Sequence, residues 1–362
     1  MSRTVEFLFW NDKKLYDYKM RGIVIEAIDD NGGRKKEYKM SMVSTLDNFF
    51  HDFSIEKTLK SIRKGRIAAD VLVRRDEHGT LWGGTEKWKS VVNECYALNI
   101  KPMFFDFGYF DHYDSFMIDH YNIDGRSDIF AEWSSISDVV NWDASESYIQ
   151  KYRNNFLKNL KKAKEEKPLD GLKEGEYVVI WPQYSMDLLR KEFKENLNKK
   201  DEVTDWINNI CKIVLDQGLI PVVKGGPAMH KWSRLNTENV KDVRVFTHTE
   251  KQSAEMKNTK FEKDINYKLI AHAKYHIVSC SSVTNELVLA NAPVVAMGKS
   301  WFTGLDIFNE PNSWGSLTKN ATEINTKNRN KWINWWLSRQ VKKEKAAEKF
   351  FQIYKKYSNI DS

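Results

Sequence analysis

The second half of the chain repeats one pattern: a short unbroken aliphatic run followed by a segment with helical spacing. The runs are Glu176–Trp181 (EYVVIW), Ile220–Lys224 (IPVVK), Val243–Phe246, Tyr275–Cys280 (YHIVSC) and Pro293–Met297 (PVVAM). Helices are expected at Asp201–Gln217, Asp264–Ala273 and Val283–Asn291, with Gly218 as the C-cap of the first. Runs without alternation suit strands covered on both faces, which implies a parallel sheet and an α/β fold. The first half supplies candidate strands Val5–Trp10, Ile23–Ile28, Ala68–Val73 and Pro102–Phe107. Its candidate helices are Thr45–Lys64, Thr85–Leu98 and the basic amphipathic segment Tyr148–Glu166. Lys167–Gly175, with Pro168 and two glycines, breaks that last helix. The expected organisation is therefore a Rossmann-like domain over 1–167, a linker over 168–175 and a second Rossmann-like domain over 176–325. A long terminal helix over 326–362 is expected to pack back on the first domain. Open α/β sheets bind ligands beyond the carboxyl ends of their strands, so a cleft there is the expected site.

Composition narrows the class. A chain of 362 residues with 41% hydrophobic and 30% charged residues is globular and long enough for two domains. No apolar run approaches the ~20 residues of a membrane helix. The opening MSRTVEFLFW is too short in its apolar part for a secretory signal. Three separated cysteines (Cys95, Cys211, Cys280) suggest neither disulfides nor a zinc site, and a cytoplasmic protein is expected. The net charge of +7 is concentrated: residues 151–167 carry +5 and residues 327–357 carry +8. Such segments suggest a polyanionic partner or an anionic surface, with Lys158, Lys161, Lys162, Lys342 and Lys343 as contacts. Trp332, Trp335 and Trp336 interleave with the terminal lysines, as a docking face for the last helix or as stacking groups.

The strongest local signal is Ser279-Cys280-Ser281-Ser282-Val283-Thr284-Asn285-Glu286, a strand ending in small hydroxylated residues before a helix. Ser281, Ser282 or Thr284 can cap that helix and leave N–H groups for a phosphate. Glu286 can reach a ribose hydroxyl, and a plain N-cap with a first-turn Glu has the same pattern.

The run AKYHIVSCSSVTNELVLANAPVVAMGKSWF (273–302) resembles the donor-binding stretch of GT-B glycosyltransferases. It is most similar to bacterial capsule-polysaccharide biosynthesis proteins of the Kdo-transferase type. Asp106-Phe107-Gly108-Tyr109-Phe110, then Asp119, Gly125 and Ser127, resembles that family's E-[ED]-G-[YF]-[LI]…E…G-V-N-G-x-S region. Trp181-Pro182-Gln183, with Ser185 and Asp187, is similar to its P-L-Q…D-S element. The three matches keep the family's order. The family's His-Pro element is displaced here to Lys224-Gly225-Gly226-Pro227, with His230 following. Gly225 and Gly226 let backbone N–H groups approach a diphosphate that Lys224 neutralises. Lys299 and Arg126 are further phosphate candidates.

The resemblance implies a two-domain GT-B fold without a bound metal ion, a nucleotide-sugar donor and an acceptor-side base in the first domain. A UDP-sugar is favoured, with a CMP-sugar as the alternative. Asp106, at the family's acidic position, is the first candidate for the base, followed by Asp111 and His112. The basic segments favour a 5-hydroxymethylated pyrimidine in duplex DNA as acceptor, as in phage DNA modification. A capsule or lipopolysaccharide glycan is the alternative, and a non-catalytic DNA- or membrane-binding protein on the same scaffold is the reading from another class. A nucleotide-sugar dehydrogenase needs a GxGxxG turn after the first strand, and Asn11-Asp12-Lys13 supplies none.

Overall fold

A computed structural model describes residues 4–9, 24–28, 35–44, 71–75, 97, 101–107, 110, 115–119, 128–169, 171–182, 193, 202–225, 244–246, 260–279, 281, 283–298, 302–342, 345 and 349. The chain divides into two compact units. The first joins Met1–Ser134 to Trp335–Ser362, and the second is Ser135–Asn334.

The second unit holds a five-stranded sheet made of β7 (Tyr177–Trp181), β8 (Ile220–Lys224), β9 (Arg244–Phe246), β10 (Tyr275–Val278) and β11 (Val294–Ala296). Every neighbouring pair is parallel, in the order β11-β10-β7-β8-β9. This is the doubly wound Rossmann order, whose direction reverses between β7 and β10. All five residues of β7 and all four of β10 are buried, as their unbroken apolar runs require. Helix α3 (Glu202–Leu215) covers one face. Its Trp206, Ile207, Ile210 and Val214 join Val178, Ile180, Val223 and Ile277 in one core. Gly218, at φ +70°, ends it as expected: its N–H donates to Leu215 O, and the Leu219 N–H reaches Val214 O.

The basic segment forms α2 (Ser147–Glu165), with Ile149, Phe156, Leu160 and Ala163 buried on one side. That side lies on α4 (Lys260–His272): the Phe156 and Tyr267 rings are 5.5 Å apart, and His272 Nε2 donates to Ala163 O at 2.8 Å. The domain boundary expected after residue 167 is thereby corrected, because α2 packs within the second unit. Residues 168–175 are not an inter-domain linker either. Leu172 is buried, and Gly175, at φ +71°, donates its N–H to His272 O. Pro168 and the glycines end a helix and turn the chain into β7 of the same unit.

The first unit holds a seven-stranded mixed sheet. Its strands are β1 (Thr4–Phe9), β2 (Val24–Ile28), β3 (Lys35–Ser44), β4 (Val71–Arg75), β5 (Lys101–Phe107), β6 (Ser115–Asp119) and β12 (Gln340–Lys342). The order is β12-β6-β5-β4-β1-β3-β2. Strands β3, β1, β4 and β5 run parallel, while β2, β6 and β12 attach antiparallel. The expected helices Thr45–Lys64 and Thr85–Leu98 lie outside the described residues, apart from Ala97.

The chain end corrects a second expectation. Helix α6 spans Thr326–Arg339 and then yields to strand β12, rather than continuing as one long helix. Asn325 caps its start, accepting the Asn328 N–H at 3.1 Å. Trp332, Trp335 and Trp336 are buried. Trp332 stands edge-on to Phe302 and Phe308 at 5.7 and 5.5 Å. Among the described residues no helix is long and apolar enough to cross a membrane.

Candidate functional site

In the second unit the candidate residues lie beyond the carboxyl ends of β8 and β10, on either side of β7, and the strand order reverses between β7 and β10. Lys224 is the last residue of β8 and is only 5% exposed. Its ammonium donates to the Gly225 carbonyl at 2.9 Å, and Gly225 is also buried. A lysine buried where strands end is a fixed cation beside the crevice of such a sheet. Beyond β10, Ser279 and the α5 (Val283–Leu289) residues Thr284 and Asn285 are buried, while Ser281 and Glu286 are partly exposed. The Ser281 carbonyl accepts the Thr284 N–H (3.1 Å) and the Thr284 hydroxyl (2.9 Å), and the Ser281 hydroxyl accepts the Val283 N–H at 3.4 Å. Among the described residues, Ser279 Oγ and Asn285 Oδ1 are buried without a hydrogen-bond partner.

Under this crevice, the Trp181 indole N–H donates to His276 Nδ1 at 3.2 Å, both side chains being buried. Burial, aided by the nearby Arg329 charge, pushes His276 down to about 3, so the imidazole is neutral and accepts at Nδ1. Arg329, itself buried, is pushed down to about 10 by desolvation. Its Nε–H donates to Ile307 O at 3.3 Å.

In the first unit, Asp106 is the penultimate residue of β5, paired in register with Met117 of β6. It therefore lies at the carboxyl end of the parallel strands, the position expected for an acceptor-side group. Just beyond it, Phe110 is fully buried and edge-on to Trp336 at 5.8 Å. Gln340 grips its backbone: the Phe110 N–H donates to Gln340 Oε1, and Gln340 Nε2–H donates to Phe110 O, both at 2.9 Å. The Ser115 hydroxyl donates to the same carbonyl. Arg339 pairs with Glu132 at 2.8 Å alongside. Gln340 carries no local sequence signal, and its role depends on a pairing across 230 residues.

Lys224 and Gly225 thus lie at the end of β8, and Ser281, Thr284 and Glu286 lie beyond the end of β10, with β7 between the two strands. Lys158, Lys161 and Lys162 stand exposed on α2 of the same unit, whereas Lys342 belongs to β12 of the other. Asp111, His112, Arg126, Gly226, His230, Ser282, Lys299 and Lys343 lie outside the described residues.

No family model matches the chain, and no curated protein does. Solved structures do. A beta Kdo 2,7 transferase (KpsC) of Thermosulfurimonas dismutans is similar over 98% of this chain and 100% of its own, at TM-score 0.44 and 10% identity. A UDP-GlcNAc 2-epimerase of Methanocaldococcus jannaschii is similar over 83% of this chain and 80% of its own, at TM-score 0.32 and 14% identity. The catalytic domain of starch synthase IV from Arabidopsis thaliana is similar over 82% of this chain and 57% of its own, at TM-score 0.35 and 9% identity.

Proposed function

We propose that the chain is a glycosyltransferase of GT-B type that moves a sugar from a nucleotide-sugar donor to a hydroxyl acceptor. The observation that carries this is the switch point of the second sheet. A buried lysine, Lys224, ends β8, and hydroxylated residues follow the end of β10 on the other side of β7; these are the two stretches that the sequence resemblance assigns to the donor. Transfer needs charge stabilisation on the departing phosphate, a base for the acceptor O–H, and orientation of both. Lys224, with the N–H groups of Gly225 and Gly226, is the proposed phosphate partner. Glu286 is the proposed ribose contact and Asp106 the proposed base. A UDP-sugar is the favoured donor.

Duplex DNA carrying a 5-hydroxymethylated pyrimidine is the acceptor that α2 supports. Lys151, Lys158, Lys161 and Lys162 stand exposed with Asn154 and Asn155 on one face, while the apolar residues of the helix are used up on α4. Such a face offers charge and hydrogen-bond donors to phosphates and nothing for a bilayer to bury. The motif order of the sequence favours the second reading, a capsule or lipopolysaccharide glycan. One screen separates them. The protein is incubated with UDP-, GDP- and CMP-sugars and hydroxymethylcytosine DNA, unmodified DNA or a lipid-linked glycan, and products are weighed by mass spectrometry. A sugar mass on the modified base supports DNA. Nucleotide release that requires the glycan would replace it, and no transfer from any donor would overturn the transferase reading.

A further inference from the structure

We infer that Gln340 is a positioning residue for the carboxyl end of β5, acting through Phe110; the inference rests on the reading that Asp106, at that strand end, is the base. The loop leaves β5 after Phe107, passes Phe110 and re-enters the sheet at Ser115 as β6. Three contacts hold Phe110. The Gln340 carboxamide takes the Phe110 N–H and returns an N–H to the Phe110 carbonyl, both at 2.9 Å, so a side chain replaces the pair of bonds that a neighbouring strand would make. The Ser115 hydroxyl joins that carbonyl, tying the start of β6 to Phe110. The Phe110 ring is fully buried against Trp336.

Gln340 is held in turn. It opens β12, paired with Met117, and the next residues Val341 and Lys342 pair with Phe116 and Ser115. It is 2% exposed, and its neighbour Arg339 is locked to Glu132. Asp106 stands four residues before Phe110. Strand β12 therefore braces the chain just beyond the strand end on which the base is proposed to sit. A misplacement of about 1 Å costs on the order of 100-fold in rate, so a clamp of this kind controls turnover without touching substrate.

The test compares the full-length protein with Gln340→Ala, Gln340→Glu and Asp106→Asn. Amide hydrogen exchange is followed over 104–118, with donor affinity and kcat measured alongside. Gln340→Ala is expected to speed exchange in this segment and lower kcat about 10- to 100-fold. Donor affinity should stay within about twofold. Gln340→Glu adds a signature that a merely structural role would not give. Its carboxyl can donate to the Phe110 carbonyl only when protonated, so its kcat relative to the parent should rise as pH falls. Unchanged exchange in Gln340→Ala, or faster exchange with parental kcat, overturns the inference. If Gln340→Ala does not fold, a Gln340→Glu ratio flat with pH overturns it instead. Full turnover in Asp106→Asn removes Asp106 as the base and leaves the exchange result standing, so the two failures are distinct.

Discussion

The two sheets differ in what surrounds their strands. In the second unit five parallel strands form the sheet, and β7 and β10 are buried at every residue. In the first unit a parallel centre is framed by antiparallel strands, and β3 (KKEYKMSMVS) opens on Lys-Lys-Glu. The chemistry divides the same way. The proposed donor groups sit on strand ends of the second sheet, and the proposed base sits on β5 of the first. Changes in the first unit should then act on turnover, and changes in the second on donor binding.

The largest expected effect breaks that division most directly. Asp106→Asn should lower kcat by about 10²–10⁴-fold while leaving donor affinity near the parent value. Steady-state kinetics with calorimetric donor titration would show it. A loss seen only in donor affinity would move Asp106 to the other side of the comparison.

Next is the core of the donor-side sheet. Trp206→Ala should destabilise the protein by about 3–5 kcal/mol in urea unfolding, because a fully buried indole leaves a large cavity. Trp206→Phe should recover most of that. Among the described residues the indole N–H has no hydrogen-bond partner, so removing it orphans nothing there. An equal loss in both variants would show that the indole nitrogen contributes a bond to the fold.

Lys224→Met keeps the length and removes the charge. It should weaken donor binding by about 10- to 100-fold, the scale of one charge-assisted hydrogen bond, with kcat changed less. Parental affinity for UDP and UDP-sugars would remove Lys224 from the donor site.

How much of this was legible in the sequence follows the same contrast. Strand β8 matched its expected bounds, because a strand buried on both faces spells itself in consecutive apolar residues. The turn after β10 was legible for the same reason, since it follows such a strand. Strands β3, β6 and β12 were not anticipated. The charges of β3 hide a strand, and β12 is three residues long and exists only because β6 offers an edge. Gly171 and Pro168 were visible as breakers, but a breaker ends an element and need not end a domain. Only the packing of Phe156 and Ala163 on α4 assigns α2 to the second unit.

The smallest effect sharpens the comparison from the donor side. His276 is the imidazole that carries Trp181 beneath the switch point, and burial pushes it down to about 3 from an ordinary 6.5. The unfolded chain takes up a proton near 6.5, and the folded one holds it off until about 3. The unfolded state thus binds more protons in that window. The stability contribution is intact above 6.5 and is lost on acidification through it, by up to about 1.4 kcal/mol per pH unit. His276→Gln cannot titrate and keeps an acceptor for the Trp181 N–H. The stability gap between parent and variant should therefore narrow by roughly 2 kcal/mol from pH 7 to pH 5. Urea unfolding at the two pH values measures it. Parallel pH profiles would mean that His276 takes up its proton near 6.5 in the fold as well, and the Trp181 N–H would then need another acceptor at pH 5.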